Sequence, residues 1–369
     1  MGIPQEILRR LATPCLVIDL AAADRNIARA AEHFARSRVK LRPHFKAHKM
    51  TALMRRQIAA GTCSGVTCAT AYEAQVLADE GFDDILVANQ VADPAGLEAL
   101  AAAARRVRLS VAVDCARQVD MLEATAARHD VRFGVLIEID VGMGRCGLNP
   151  GSDALILLAE RIERTGRLEF LGLQGYEGHV MLREDRAVRR TMAWQAQQVL
   201  RAEQARLENG GYVCRIVSGG GTGTYDVASE IGVLSEIQAG SYVLMDASYG
   251  ALDLPFENAL FCCATLISRR APDAGVLNAG LKSLSAELGM PKAAGADLSV
   301  IKLSDEHARI TLDRATPLAV GDPVALVPAH IDPTLNLHDV VAVWEGGDTI
   351  DHWTVDGRRR PSTRLAEPA

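Results

Sequence analysis

The sequence has no surplus of positive charge: 40 Lys and Arg stand against 46 Asp and Glu, for a formal net charge of −6. Phosphate contacts need a basic surface, so this mild acidity gives no support to nucleic-acid binding as the main role. A long apolar run is missing as well. The opening stretch MGIPQEILRRLATPCLVIDL is broken by Glu6 and an arginine pair, so neither a membrane span nor a secretory segment is expected. The cytoplasm is the expected compartment. The eight cysteines, at 15, 63, 68, 115, 146, 214, 262 and 263, show no CxxC spacing. They read as free and mostly buried thiols rather than as a metal knuckle or a disulfide framework. Low-complexity tracts and short repeats are also lacking. With 49% hydrophobic and 23% charged residues, the chain reads as globular, not disordered.

What recurs is an alternation of strand-like and helix-like segments. Short runs rich in Val, Ile and Leu occur at 39–46, 65–70, 84–90, 108–114, 132–140, 169–178, 214–221 and 236–246, with amphipathic segments between most of them. Buried parallel strands read as near-continuous apolar runs joined by helices. Eight such units over about 210 residues match a (β/α)8 TIM-type barrel, here expected over residues 20–254. A doubly wound open sheet is the alternative that the pattern leaves. Beyond residue 255 the texture becomes strand-like with Gly, Pro and Asp turns and little helix. A β-rich C-terminal domain is expected from 255–369 together with residues 1–19, whose run PCLVIDL is a candidate to pair with it.

In barrels the chemistry gathers at the C-terminal ends of the strands. The polar residues expected there are Lys46 with its neighbouring histidines, Asn89, Asp114, 140–145, 176–179, 218–224 and 238–241. In LRPHFKAHKM, Lys46 ends the first barrel run. Partial desolvation at a barrel mouth frees a lysine amine for imine chemistry, the alternative being a solvated basic patch. SGGGTGTYD (218–226) offers consecutive glycines whose N–H groups can converge on an anion, or a merely flexible turn. DVGMGRCGL offers Arg145 on a glycine-framed turn, as an anion clamp or a salt bridge. In PAHIDPT, His330 and Asp332 are two apart. An extended segment puts both on one face, and Pro333 is expected to keep Asp332 extended. An imidazole and a carboxylate suit a divalent ion, although such pairs also arise by chance.

The ordered motifs TPCLVIDL, LRPHFKAHK, EIDVGMGRCG, LQGYEGH, VSGGGTGTYD, EIQAGSYVLMD, GLKS, SDEH and VPAHIDPTLNLHD resemble the D-threonine aldolase / D-serine dehydratase family. These are fold-type III, alanine racemase-like pyridoxal-phosphate (PLP) enzymes, and the likeness runs from about residue 12 to 358. The resemblance implies a PLP barrel, a β-rich domain, a metal close to the cofactor and a homodimer. Lys46 corresponds to the lysine that holds PLP, and Arg145 to the arginine facing the pyridine nitrogen. Tyr176 matches an active-site tyrosine. Ser218, Gly220, Gly221, Thr222, Gln238, Gly240 and Ser241 match the phosphate-binding region, and His330 and Asp332 match the metal pair. Arg42, His44 and His48 become supports around the cofactor, with Lys49 opening the next helix. The His-x-Asp spelling is similar to the D-threonine aldolase branch, where Mn²⁺ or Mg²⁺ is expected and Zn²⁺ is an option; the dehydratase branch and some hydroxyaspartate aldolases resemble each other in having His-x-Cys. Leu182 stands where the aldolase branch has a histidine, so the candidate base is His179 (unless it simply packs) or a metal-bound hydroxide. Asn278 stands where relatives commonly carry Asp.

The implied reaction is PLP- and metal-dependent cleavage of a D-β-hydroxy-α-amino acid to glycine and an aldehyde. The alternative is dehydration of D-serine or D-hydroxyaspartate to a 2-oxo acid and ammonia. A non-catalytic PLP-binding protein is a third option, against which the second domain argues.

Overall fold

The computed structural model describes residues 2–358; the stretch 359–369 of the expected second domain lies outside the described residues. The chain divides into two compact units. Among described residues, one comprises Ala31–Lys46 and Gln57–Gly240, the other 2–30, Ala47–Arg56 and Ser241–Arg358.

The strands run in chain order from β1 (Cys15–Asp19). The barrel strands follow: β2 (Lys40–Leu41), β3 (Val66–Cys68), β4 (Asp84–Val87), β5 (Arg108–Val113), β6 (Phe133–Glu138), β7 (Leu168–Gly175), β8 (Ile216–Gly219) and β9 (Glu236–Ile237). All eight pair in parallel in the order β2-β9-β8-β7-β6-β5-β4-β3. Parallel bridges Leu41–Cys63 and His44–Thr67 join the two ends. The sheet therefore closes, and the open doubly wound alternative falls away. Ile85, Val87, Val111, Val113, Val135 and Ile137 are all buried, as strands covered on both faces require.

Helices between the strands start where the sequence supplies caps. Thr70 accepts the N–H of Glu73 at 3.2 Å, and Asp93 accepts that of Gly96 at 2.8 Å ahead of Pro94. Asp185 takes the N–H groups of Ala187 and Val188, opening the helix Arg186–Asn209. Each side-chain oxygen satisfies a donor that a helix start leaves orphaned. Among the described residues no helix is long and apolar enough to cross a membrane.

The other unit is built on a nine-stranded sheet. Its strands are β1 with β10 (Leu260–Ala271), β11 (Ala274–Leu277), β12 (Lys292–Ala293), β13 (Leu298–Leu303), β14 (Ala308–Leu312), β15 (Pro323–Val327), β16 (Val340–Gly346) and β17 (Thr349–Thr354). The order is β11-β14-β13-β12-β15-β10-β1-β16-β17. PCLVIDL lies inside it, third from one edge, antiparallel to β10 and parallel to β16. β12 and β17 were not expected: β12 is two residues long, and β17, TIDHWT, lacks an apolar run. The pairing of β17 with β16 makes it a strand. Asn278 has a structural post. Its amide donates to the Thr13 carbonyl (3.2 Å) and hydroxyl (2.9 Å), while its oxygen accepts from Thr265 N (2.7 Å). A carboxylate could accept from Thr265 but could not donate to the Thr13 carbonyl.

Candidate active site

The basic run 41–50 resolves into residues with different tasks. Lys46 is not on the strand itself. β2 ends at Leu41, and Lys46 sits in a 3-10 turn, Phe45–Ala47, past the C-terminal end of that strand. Phe45 is fully buried and pins the turn, and Lys46 N–H faces His44 Nδ1 at 3.4 Å. Lys49 does not open a helix. It adopts φ 57° and its amine donates to Asn336 Oδ1 at 3.0 Å; the helix begins at Thr51.

Arg42 is engaged by two carboxylates. Its guanidinium is buried between Glu236 (Nε–Oε2, 2.8 Å) and Asp84 (Nη1–Oδ1, 2.8 Å), because a buried cation needs carboxylates. From Glu236 a chain of hydrogen bonds crosses the barrel interior. Ser218 Oγ donates to Glu236 (2.8 Å), and Gln238 Nε2 donates to Ser218 Oγ (2.9 Å) and Gln174 Oε1 (3.2 Å). Gln174 bonds Glu138, which also accepts from Gln90 at 2.6 Å. Burial raises the Glu138 carboxyl above its ordinary range, and Gln90 and Arg145 oppose the shift. Removing one partner of a buried pair leaves a stranded charge. Arg42→Met is therefore expected to lower folding stability by about 3 kcal/mol or more, read from urea unfolding; a loss under about 1 kcal/mol would refute this role.

The C-terminal ends of β6, β7 and β8 bring several predicted residues together. The Arg145 guanidinium lies over the Tyr176 ring, 5.5 Å from its centroid. Asp140 shapes the turn before Arg145 by accepting the N–H groups of Gly142 (2.9 Å) and Gly144 (3.0 Å). The Gly144 bond is the main reason its carboxyl titrates below the usual range. His179 packs on that turn: a Cβ on Gly142 would sit 3.2 Å from its Nε2. Burial, then Arg183, lower the His179 pKa, against a smaller upward pull from Asp140. Leu182 is a partly exposed apolar residue.

The end of β8 and the glycine-rich turn after it pack closely on the end of β7 and the turn that follows. A Cβ on Gly219 would lie 2.1 Å from the Gly175 carbonyl oxygen, and one on Gly223 2.0 Å from that of Met181. Only glycine permits this approach. At Gly221 a Cβ would come 3.6 Å from the Tyr176 ring, so this turn and Tyr176 are neighbours. Thr222 and Gly240 are buried, and Ser241 opens a 3-10 turn, Ser241–Val243. Of the predicted phosphate contacts, the Ser218 and Gln238 side chains are spent within the barrel chain above. The N–H of Gly220 donates to the Glu177 carboxylate. A turn of close-packed backbone with a nearby hydroxyl fits a phosphate group, and a lysine and an arginine at the same barrel end fit the rest of PLP.

In the second unit, Ile331–Leu335 forms a short helix with His330 at its N-cap. The expectation of an extended Asp332 fails here. Pro333 falls in the first turn, where its missing N–H costs nothing. The pair converges nonetheless: His330 Nε2 stands 3.7 Å from Asp332 Oδ1, and His330 Nδ1–H donates to Glu287 Oε2 at 2.8 Å. Buried Asp246 accepts the N–H of Ile331 (3.2 Å) and so holds the start of this helix; burial pushes its carboxyl up to about 6. Among the described residues no group of three or more His, Cys, Asp or Glu gathers as a metal cage. The donor set still fits a divalent ion completed by water or substrate. A carboxylate behind one imidazole nitrogen leaves the other free to ligate, the usual arrangement for metal-binding histidines. Asp246 and Glu287 escaped the sequence reading. Glu287 lies 43 residues from its partner, and nothing local marks it.

Two family profiles match in tandem: "Alanine racemase, N-terminal domain" over residues 18–248 and "Putative serine dehydratase domain" over 259–344. The chain is 39% identical to a D-threonine aldolase of Arthrobacter sp, covering 96% of this chain and 95% of that protein. It is 36% identical to a 3-hydroxy-D-aspartate aldolase of Paracoccus denitrificans, covering 94% and 92%. The crystal structure of a D-threonine aldolase from Filomicrobium marinum superposes with a TM-score of 0.91 at 36% identity, over 95% of this chain and 96% of that one.

Proposed function

This chain belongs to the alanine racemase-like, fold-type III PLP family, in its D-threonine aldolase / D-serine dehydratase group, and on that premise we propose that it cleaves D-threonine-like D-β-hydroxy-α-amino acids to glycine and an aldehyde. It is a PLP-dependent lyase. The observation that carries the aldolase reading is the His330–Asp332 pair with Glu287 behind it, a harder donor set than histidine with cysteine.

Bound PLP would supply an electron sink for the pair of electrons left on the amino acid when a Cα bond breaks. Lys46 would hold it covalently, Arg145 and Tyr176 would flank its ring, and the backbone of the turn around Gly221 and Thr222, with Gly240 and Ser241, would hold its phosphate. A divalent ion held by His330 and Asp332, Mn²⁺ or Mg²⁺ first and Zn²⁺ next, would lower the pKa of a substrate hydroxyl. His179 would accept that hydroxyl's proton. The same reading takes a homodimer as the working assembly and the cytoplasm as its compartment.

Incubation with D-threonine and D-serine tests the reaction. Glycine and acetaldehyde from D-threonine are expected; 2-oxo acid and ammonia as the main products would replace the aldolase by the dehydratase.

His179 sets the pH behaviour. A histidine whose pKa is lowered keeps its basic form as pH falls through the ordinary range. The acid limb of kcat/KM is expected below 6.5, the ordinary histidine value. His179→Ala should cost about 10²- to 10⁴-fold and remove that limb. An unchanged profile in the variant would show that another group takes the proton.

A further inference from the structure

We propose that Glu177 is the positioning residue of the phosphate-binding turn, tying it to the turn that carries Tyr176 and His179. The proposal deepens the reading of the turn after β8 as the phosphate site and rests on it.

Glu177 is fully buried directly after Tyr176, and its two oxygens take different donors. Oε2 accepts the N–H of Gly220 at 3.1 Å, and Oε1 accepts the hydroxyl of Thr224 at 2.9 Å. Gly220 is the left-handed residue of the glycine turn, at φ 69°. Thr224 closes it, its N–H donating to Gly221 O at 3.1 Å, and is the N-cap position of the helix Tyr225–Ile231. The carboxylate therefore grips both ends of the segment 220–224. Its own carbonyl accepts from Val180 N (2.9 Å), which fixes the short 3-10 turn Gly178–Val180 that contains His179.

The glycine that lets the turn approach Met181 brings no side chain of its own, and Glu177 supplies carboxylate acceptors from the neighbouring turn. Without Glu177 the buried N–H of Gly220 would lose its acceptor and the Thr224 hydroxyl would be left with the weakly accepting Met181 sulfur at 3.9 Å, and the turn would rearrange to find better partners. A carboxylate beside a phosphate turn is otherwise a poor choice, since two anions repel. Burial raises the Glu177 pKa and works against its charge, while Thr224 and Gly220 favour it. The geometry points to its acceptor oxygens as the reason for its presence.

Titration of the cofactor-free full-length chain with PLP and with pyridoxal, which lacks the phosphate, separates positioning from general damage. Wild type is expected to favour PLP strongly. Glu177→Ala is expected to shrink the PLP-to-pyridoxal affinity ratio by about tenfold or more, with pyridoxal affinity nearly unchanged. Glu177→Gln should keep the ratio, since an amide oxygen still accepts from Gly220 and the Thr224 hydroxyl can turn to accept from the amide nitrogen. If Glu177→Ala does not fold, Glu177→Asp decides, because a side chain one methylene shorter cannot reach both donors and must lower the ratio. An unchanged ratio, or equal loss of both ligands, overturns the role of Glu177. A wild-type ratio near one would instead overturn the phosphate reading itself.

Discussion

Lys46→Ala is expected to reduce turnover by about 10⁴-fold or more, since the residue that would hold the cofactor covalently is lost and no neighbour has an equivalent amine in place. The protein should remain folded. Lys46 is only partly buried, and its turn is anchored by fully buried Phe45, which the substitution leaves alone. The visible absorbance of lysine-bound PLP should vanish while the thermal unfolding midpoint stays within a few degrees of wild type. Borohydride reduction of the wild-type holoenzyme followed by peptide mass spectrometry should find the cofactor on Lys46. A label on Lys40 or Lys49 would sink the reading, because those two residues flank it in the same run. Lys49 is the weaker rival: its amine donates to Asn336 at 3.0 Å.

Removing divalent ions is the second large effect. Chelation should stop turnover, and Mn²⁺ or Mg²⁺ should restore it. His330→Ala and Asp332→Ala should each cost about 10³-fold, the several kcal/mol that an ion contributes by lowering the pKa of a bound hydroxyl. Glu287 gives the sharper contrast. It touches His330 through Nδ1 and would orient the ring without ligating, so Glu287→Gln should weaken ion affinity by about 10- to 100-fold. Excess metal should then rescue Glu287→Gln but not Asp332→Ala. Full activity after exhaustive chelation would leave the His330–Asp332 pair without a catalytic part.

The barrel was legible because its signal is local and repeated. Eight apolar runs with amphipathic segments between them left only the doubly wound open sheet as a rival, and all eight appear as strands. Caps such as Asp93 ahead of Pro94 and Asp185 ahead of Arg186 are also local, needing only a side-chain oxygen two or three residues from an orphan N–H. Polar strand β17 was illegible for the converse reason: its identity comes from pairing with β16, and no apolar face announces it. Pro333 misled in the same way. The rule that the residue before a proline is extended is a tendency, and a proline in the first turn of a helix escapes it.

The candidate site divides along the same line. Lys46, Arg145, Tyr176 and the glycine turn could be picked out from sequence, since strand ends in a parallel barrel share one rim and consecutive glycines mark close backbone approach. Arg42 looked like their companion because it is near Lys46 in the chain. Its guanidinium in fact lies between Asp84 and Glu236, 42 and 194 residues away in sequence. Glu177 and Asp246 stood inside quoted motifs but were given no role, and Glu287 carried no visible mark. What the sequence alone indicated, by periodicity and spacing, was an eight-unit parallel β/α architecture with polar residues at its strand ends, and a second β-rich domain. The roles of those residues came from the family resemblance. Which carboxylate satisfies which buried donor was left to the tertiary structure, because a hydrogen bond depends on a few ångströms of separation in space and is indifferent to separation along the chain.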